Sequence, residues 1–212
     1  MNRYLKFSPF YFFCLYSLIT IFFTFCFNYI LYDDALYYKS FEETLRIDRI
    51  AKIIEQEKFF RKIGYGIIPL MLLLRAFFTS ICLAIGVLIS EQDFKFSQYF
   101  NIAIKADIIF LFELIIKINY FSIFGADSLQ EINGRFLSVL QWTGVNNVEQ
   151  WLFYPMSILN VFELTYWILL ALFISNYTKK SFRSSLSFVA KTYGVGLLLW
   201  VTLVVYISLF LI

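Results

Sequence analysis

Histidine is absent from the 212-residue chain, and with it go HExxH zinc sites and the Ser/His/Asp and Cys/His nucleophile systems, all of which need an imidazole. Cysteine is nearly as scarce. Cys14, Cys26 and Cys82 each fall inside an apolar run, without CxxC or Cys/His spacing, so they read as small core residues and not as metal ligands or a disulfide frame. Neither a metal nor a cofactor is expected. Charge imbalance is lacking too: 18 Lys and Arg against 15 Asp and Glu leave +3, which gives nucleic acid nothing to bind. No internal repeat or low-complexity linker breaks residues 1–212, and the chain reads as one domain.

What fills the sequence is apolar. A hydrophobic content of 60%, an aromatic content of 22% and a mean hydropathy of +0.72 exceed the roughly 45–50% apolar content of soluble domains. The expected fold class is all-α, a polytopic integral membrane protein with the lipid bilayer as its solvent. Apolar runs of about the 20 residues that cross some 30 Å of hydrocarbon occur at 10–31, 64–90, 98–121, 152–176 and 188–212, predicting five transmembrane helices. The first is preceded by Arg3 and Lys6 but is too long and aromatic for a cleaved leader, so it reads as a retained span. Between spans one and two, residues 32–62 interleave seven acidic and seven basic side chains with apolar positions such as Phe41, Leu45, Ile50, Ile53 and Ile54. Those spacings predict an amphipathic helical connector. A shorter interfacial helix is expected to end at Trp142, at headgroup level.

The charges inside these spans are the candidate site. Lys105, Asp107, Glu113 and Lys117 lie in the third span, where each mid-bilayer charge costs roughly 2.5–3.5 kcal/mol and demands a partner or water. At helical spacing Asn101, Lys105, Glu113, Lys117 and Asn119 share one side, with Asp107 off it. Glu113 and Lys117 stand in the favourable i, i+4 order. Arg75 in the second span is expected to pair with Asp107, Glu113 or Glu163 across the bundle, helped by a short linker at 91–96. In the fourth span Asn160 and Glu163 are three apart, and a buried Glu163 is either protonated or half of an ion pair. Gly194 and Gly196 in the fifth permit close helix approach.

Arg3, Lys6, Lys95, Lys179, Lys180, Arg183 and Lys191 all fall on one side of a five-span arrangement, opposed there by Glu91 and Asp93. The positive-inside rule then places the N-terminus in the cytoplasm and the C-terminus on the exported side.

Tyr154-Pro155, Leu159-Asn160-Val161-Phe162-Glu163, Trp167, the Lys/Ser/Phe segment 179–188 and Tyr193-Gly194 to Trp200 together resemble the C-terminal half of bacterial relatives of the Yip family. The likeness covers residues 151–206. It implies five spans and a cytoplasmic N-terminus; in eukaryotes the family comprises secretory-pathway membrane proteins that interact with Rab GTPases. Their long soluble N-terminal region is missing here, so Rab binding is not implied. The Phe, Tyr, Ile, Asn and Lys-rich composition without histidine resembles that of proteins from an AT-rich bacterium.

Two functions compete. One is a non-enzymatic accessory or scaffold subunit of the bacterial inner membrane that binds another membrane protein; the other is a small homo-oligomeric channel, permeation or membrane-effector protein, its pore lined by the charged third helix. An enzyme is not expected: Asp107, Glu113 and Glu163 could move protons, but no nucleophile, metal set or GxGD-like motif accompanies them.

Overall fold

The computed structural model describes residues 9–42, 44–89, 95–126, 128–144 and 148–211. The described residues form helices joined by short turns, with a single two-residue β-bridge, Ser138 to Asn160. They divide into two compact units, one of residues 1–75 and 114–128, the other of residues 76–113 and 129–212.

In the first unit, helix α1 runs Pro9–Leu31. Proline suits the first helical position, where its missing N–H would have no partner anyway. Inside the helix Thr20 and Thr24 donate their hydroxyls to the carbonyls four residues back, at 2.8 Å each, hiding polar groups from an apolar solvent. The short α2, Asp34–Phe41, follows, and then α3, an unbroken 43-residue helix Ile47–Ile89. At 1.5 Å per residue α3 is about 65 Å long, twice a bilayer's hydrocarbon. The second half of the connector, from Ile47, and the second span are therefore one helix, because nothing between Lys62 and Gly64 stops it, and the helix continues past Pro69; the first half forms the separate α2.

The connector is tied down by its charged face. Lys58 meets Asp34 at 2.8 Å, with both side chains half exposed, so the pair adds little stability. Arg61 lies 4.9 Å above the Tyr32 ring and 6.0 Å above that of Tyr37. Burial pushes the Tyr32 phenol up to about 12, so the ring stays neutral and the Arg61 contact is cation–π. Deeper in the unit Asn28 donates to the Tyr65 hydroxyl at 3.0 Å, and Lys117 sits 5.1 Å over the Phe27 ring.

The second unit holds the larger core, in which Leu83, Val87, Ala106, Tyr166, Leu170, Ala171 and Val189 are fully enclosed. It is built by the last part of α3 with α4 (Phe96–Ala106), α9 (Val161–Thr178), α10 (Phe182–Val189), a π-helical segment (Ala190–Gly194) and α11 (Val195–Leu211). Between them lie α5 (Ile108–Phe124), shared between the units, and the short α6 (Leu129–Asn133), α7 (Val139–Thr143) and α8 (Phe153–Ile158), the last entered through a 3-10 turn at Gln150–Leu152. Gly194 and Gly196 do what their size permits. A Cβ on Gly194 would come within 2.7 Å of Trp167, and one on Gly196 within 2.3 Å of the Cys82 sulfur. Gly86 is tighter still, at 2.0 Å from Thr192.

Four helices among the described residues are long and apolar enough to cross a membrane: α1, α3, α9 and the continuous run from Phe182 to Phe210. Large apolar side chains are exposed on α1, including Phe10, Leu18 and Phe22, and separately on α11, including Leu198, Leu199 and Phe210, as suits helices that face lipid. The chain is a multi-pass membrane protein. The expected third span departs from the rest: a turn at Asp107 divides it into α4 and α5, of 11 and 17 residues. The linker of residues 91–94, like Arg3 and Lys6, lies outside the described residues.

Candidate functional site

The polar centre of the second unit forms where an apolar stretch stops being a helix. Helix α8 ends at Ile158, Leu159 leaves the helical conformation, and α9 begins at Val161. Helix ends leave backbone groups without intrahelical partners, and the Asn160 side chain pairs three of them. Its Nδ2 donates to the carbonyls of Ser157 and Ile158 at 3.1 Å, and its Oδ1 accepts from the Glu163 N–H at 2.8 Å. Asn160 is thus the N-cap of α9. The Leu159 carbonyl accepts from the Val139 N–H at 3.0 Å, and the Ser138 to Asn160 bridge fastens the break to the loop before α7.

That loop is itself locked. Ser138 caps α7, accepting from the Gln141 N–H at 3.3 Å, while the Gln141 side chain accepts from the Leu137 N–H at 2.7 Å, a close relative of the Ser-x-x-Gln capping box. Leu137 between them has φ +52°, a left-handed conformation that costs a bulky residue roughly 1–2 kcal/mol. Strain is therefore stored beside the break. One residue further back, the Phe136 N–H donates to the Glu113 carboxylate at 3.2 Å.

Glu163, in the first turn of α9, is 6% exposed. Its Oε1 accepts from the Tyr193 hydroxyl at 2.8 Å and from the Trp167 indole N–H at 3.3 Å; its Oε2 is 3.8 Å from the Arg135 guanidinium. Arg135 also lies 5.4 Å over the Phe110 ring. The carboxylate is consequently held by a charge, two hydrogen bonds and the positive end of its own helix. A second buried contact in the same unit runs from the Tyr166 hydroxyl to Thr79, at 3.0 Å.

The residues singled out by sequence take different places. Asn160 and Glu163 are brought together at the centre of this network, joined by the cap. Glu113 joins it through the loop, 9% exposed, and Asp107 is buried at 1%. Lys105 is exposed, Lys117 half-buried and in the first unit, and Arg75 half-buried at that unit's boundary. The cation beside Glu163 is Arg135, which periodicity gave no reason to select. Tyr193 and Trp167 were visible only as landmarks of a family likeness. Asn160-x-x-Glu163 and Ser138-x-x-Gln141 are the signals that could have located the break, since each is an N-cap pattern inside or beside an apolar run.

Other landmarks of the fourth and fifth stretches also meet: the Trp200 indole donates to the Tyr154 hydroxyl at 2.8 Å, and the Tyr193 ring stands edge-on to Trp167 at 5.9 Å. Groups of three or more Cys, Asp or Glu able to hold a metal are absent among the described residues. Comparison with protein-family models, with curated proteins and with solved structures finds no match.

Proposed function

We propose that the chain is a non-enzymatic accessory or scaffold subunit of a bacterial inner membrane, binding another membrane protein, with its N-terminus in the cytoplasm and its C-terminus on the exported side. One observation carries this reading: the carboxylate best placed to do chemistry, Glu163, spends both oxygens on Tyr193, Trp167 and Arg135 of its own chain. A general acid or base needs a free path to substrate. A carboxylate so enclosed serves instead to fix how helices pack, and Asn160 serves the same end at the break. The Yip likeness of residues 151–206 supports the same reading, since its landmarks Tyr154, Asn160, Glu163, Trp167, Tyr193 and Trp200 make contacts with one another.

A pore through the third stretch would need Glu113 to face water, and its carboxylate accepts from the Phe136 backbone in a buried setting. Selective pores present rings of one sign, whereas Lys105, Asp107, Glu113 and Lys117 mix two positive and two negative charges. The deciding experiment is to purify the tagged protein in mild detergent from its own membrane and weigh the complex. A mass that requires a second, different polypeptide is expected. A closed ring of this chain alone would overturn the accessory reading.

A further inference from the structure

At one end of the second unit, α4, the end of α9 and α10 enclose a cavity of about 340 Å³, at the small end of the roughly 300–1,000 Å³ of ligand sites. Its polar wall is Thr178, Lys180, Ser184, Ser185, Ser187 and Lys191. Ser184, Ser187, Phe188 and Lys191 recur at i, i+3, i+4 and i+7, one helix face, and the π-helical segment that carries Lys191 is a device frequent at functional sites. No carboxylate lines the cavity, and neither lysine has an acid partner among the described residues. Tyr99, Ile174 and Phe188 supply an apolar side.

Two further features point to an anion. Ser185 is 2% exposed, and its hydroxyl has no hydrogen-bond partner among the described residues. A buried hydroxyl left without a partner is destabilising unless something completes it. The eight-residue α10, capped by Ser181, adds the positive end of a helix.

We propose that this cavity is a phosphate site, filled by the headgroup phosphate of an anionic phospholipid. Lys180 and Lys191 neutralise its charge, the serine hydroxyls donate to its oxygens, and the Tyr99, Ile174 and Phe188 side receives the start of the glycerol and acyl region. The volume suits a headgroup and not two tails. A free phosphate ester would use the same donors, so the source of the phosphate is part of the test. The proposal rests on the membrane location alone and is independent of the accessory reading.

Native mass spectrometry of the full chain, delipidated in mild detergent, measures lipid retention as phosphatidylglycerol or phosphatidylcholine is added. Phosphatidylglycerol should be held more tightly, and Lys180→Gln with Lys191→Gln should weaken it by about tenfold to thirtyfold. Restoring charge with arginine at both positions should recover most of the loss, which separates lost charge from lost folding. Ser185→Ala should weaken retention severalfold with the melting temperature in phosphatidylcholine unchanged or raised. Displacement of the lipid by inorganic phosphate would keep the phosphate site and assign it a soluble ligand, overturning the lipid source. Equal retention of both lipids by the native chain, or a phosphatidylglycerol preference untouched in the double glutamine variant, would overturn the site itself.

Discussion

Glu163 is held by three groups of unequal strength, and distance orders them. The Tyr193 hydroxyl donates to the carboxylate at 2.8 Å, the Trp167 indole N–H donates at a longer 3.3 Å, and Arg135 at 3.8 Å stands beyond hydrogen-bond range with its side chain 32% exposed. Tyr193→Phe should therefore cost about 1.5–3 kcal/mol, the range for hydrogen bonds to charged groups. Arg135→Leu should cost less, about 1 kcal/mol, because partial exposure screens the pair. Thermal melts in one detergent test the order, and a larger loss for Arg135→Leu would contradict it. Combining Tyr193→Phe with Glu163→Gln should give less than the sum of the single losses, since the two share one bond; strict additivity would show that the contact contributes nothing. Asn160 and Glu163 were legible in the sequence as polar residues where polar residues are costly. Arg135 was not, because it arrives through a loop whose path follows from the φ of Leu137 and the Ser138 cap, not from helical periodicity.

Three of the long apolar stretches are not simple rods. The third turns at Asp107, the fourth breaks at Leu159 and Asn160, and the fifth passes through a π-helical segment before α11. Hydropathy located four helices long and apolar enough to cross a membrane, because that property depends only on which side chains are oily. It could not see the breaks, since a run such as Leu152 to Asn176 stays apolar whether or not its backbone is continuous, and the repair is shared by Asn160 and the loop before α7. The fusion of the connector's second half with the span in α3 was likewise hidden, because a change in composition marks where solvent changes and need not mark a helix end. Close approach, by contrast, was readable at Gly194 and Gly196. Gly196→Ala should drive a Cβ into the Cys82 sulfur, now 2.3 Å from that position, and destabilise by about 1–3 kcal/mol as overpacking does. Cys82→Ala in the same chain should restore much of the loss, since it removes the obstructing sulfur. A chain in which the second change made matters worse would show that Cys82 packs elsewhere.

For the whole molecule the remaining question is which surfaces meet water, lipid or another protein. Reporter fusions active only in the cytoplasm should report at residue 2 and stay silent at 212; activity at the C-terminal fusion would reverse the proposed orientation. Thiol accessibility then separates a sealed interior from an aqueous path. In a background lacking Cys14, Cys26 and Cys82, single cysteines at 113, 112 and 180 sample three different settings: Glu113 is buried, Phe112 is 52% exposed on an apolar surface, and Lys180 is exposed at a helix junction. Only a hydrated thiolate reacts with a membrane-impermeant reagent. Cysteine at 180 should label from the cytoplasmic side, whereas 112 should stay silent in lipid and 113 silent in protein, each becoming reactive once the chain is unfolded in detergent. The two silent sites differ in what labels them natively: a small membrane-permeant reagent that partitions into lipid should reach 112 faster than 113. Native labelling at 113 by the impermeant reagent, together with a conductance altered by Lys117→Glu, would put water beside the third stretch and replace the accessory subunit with a channel.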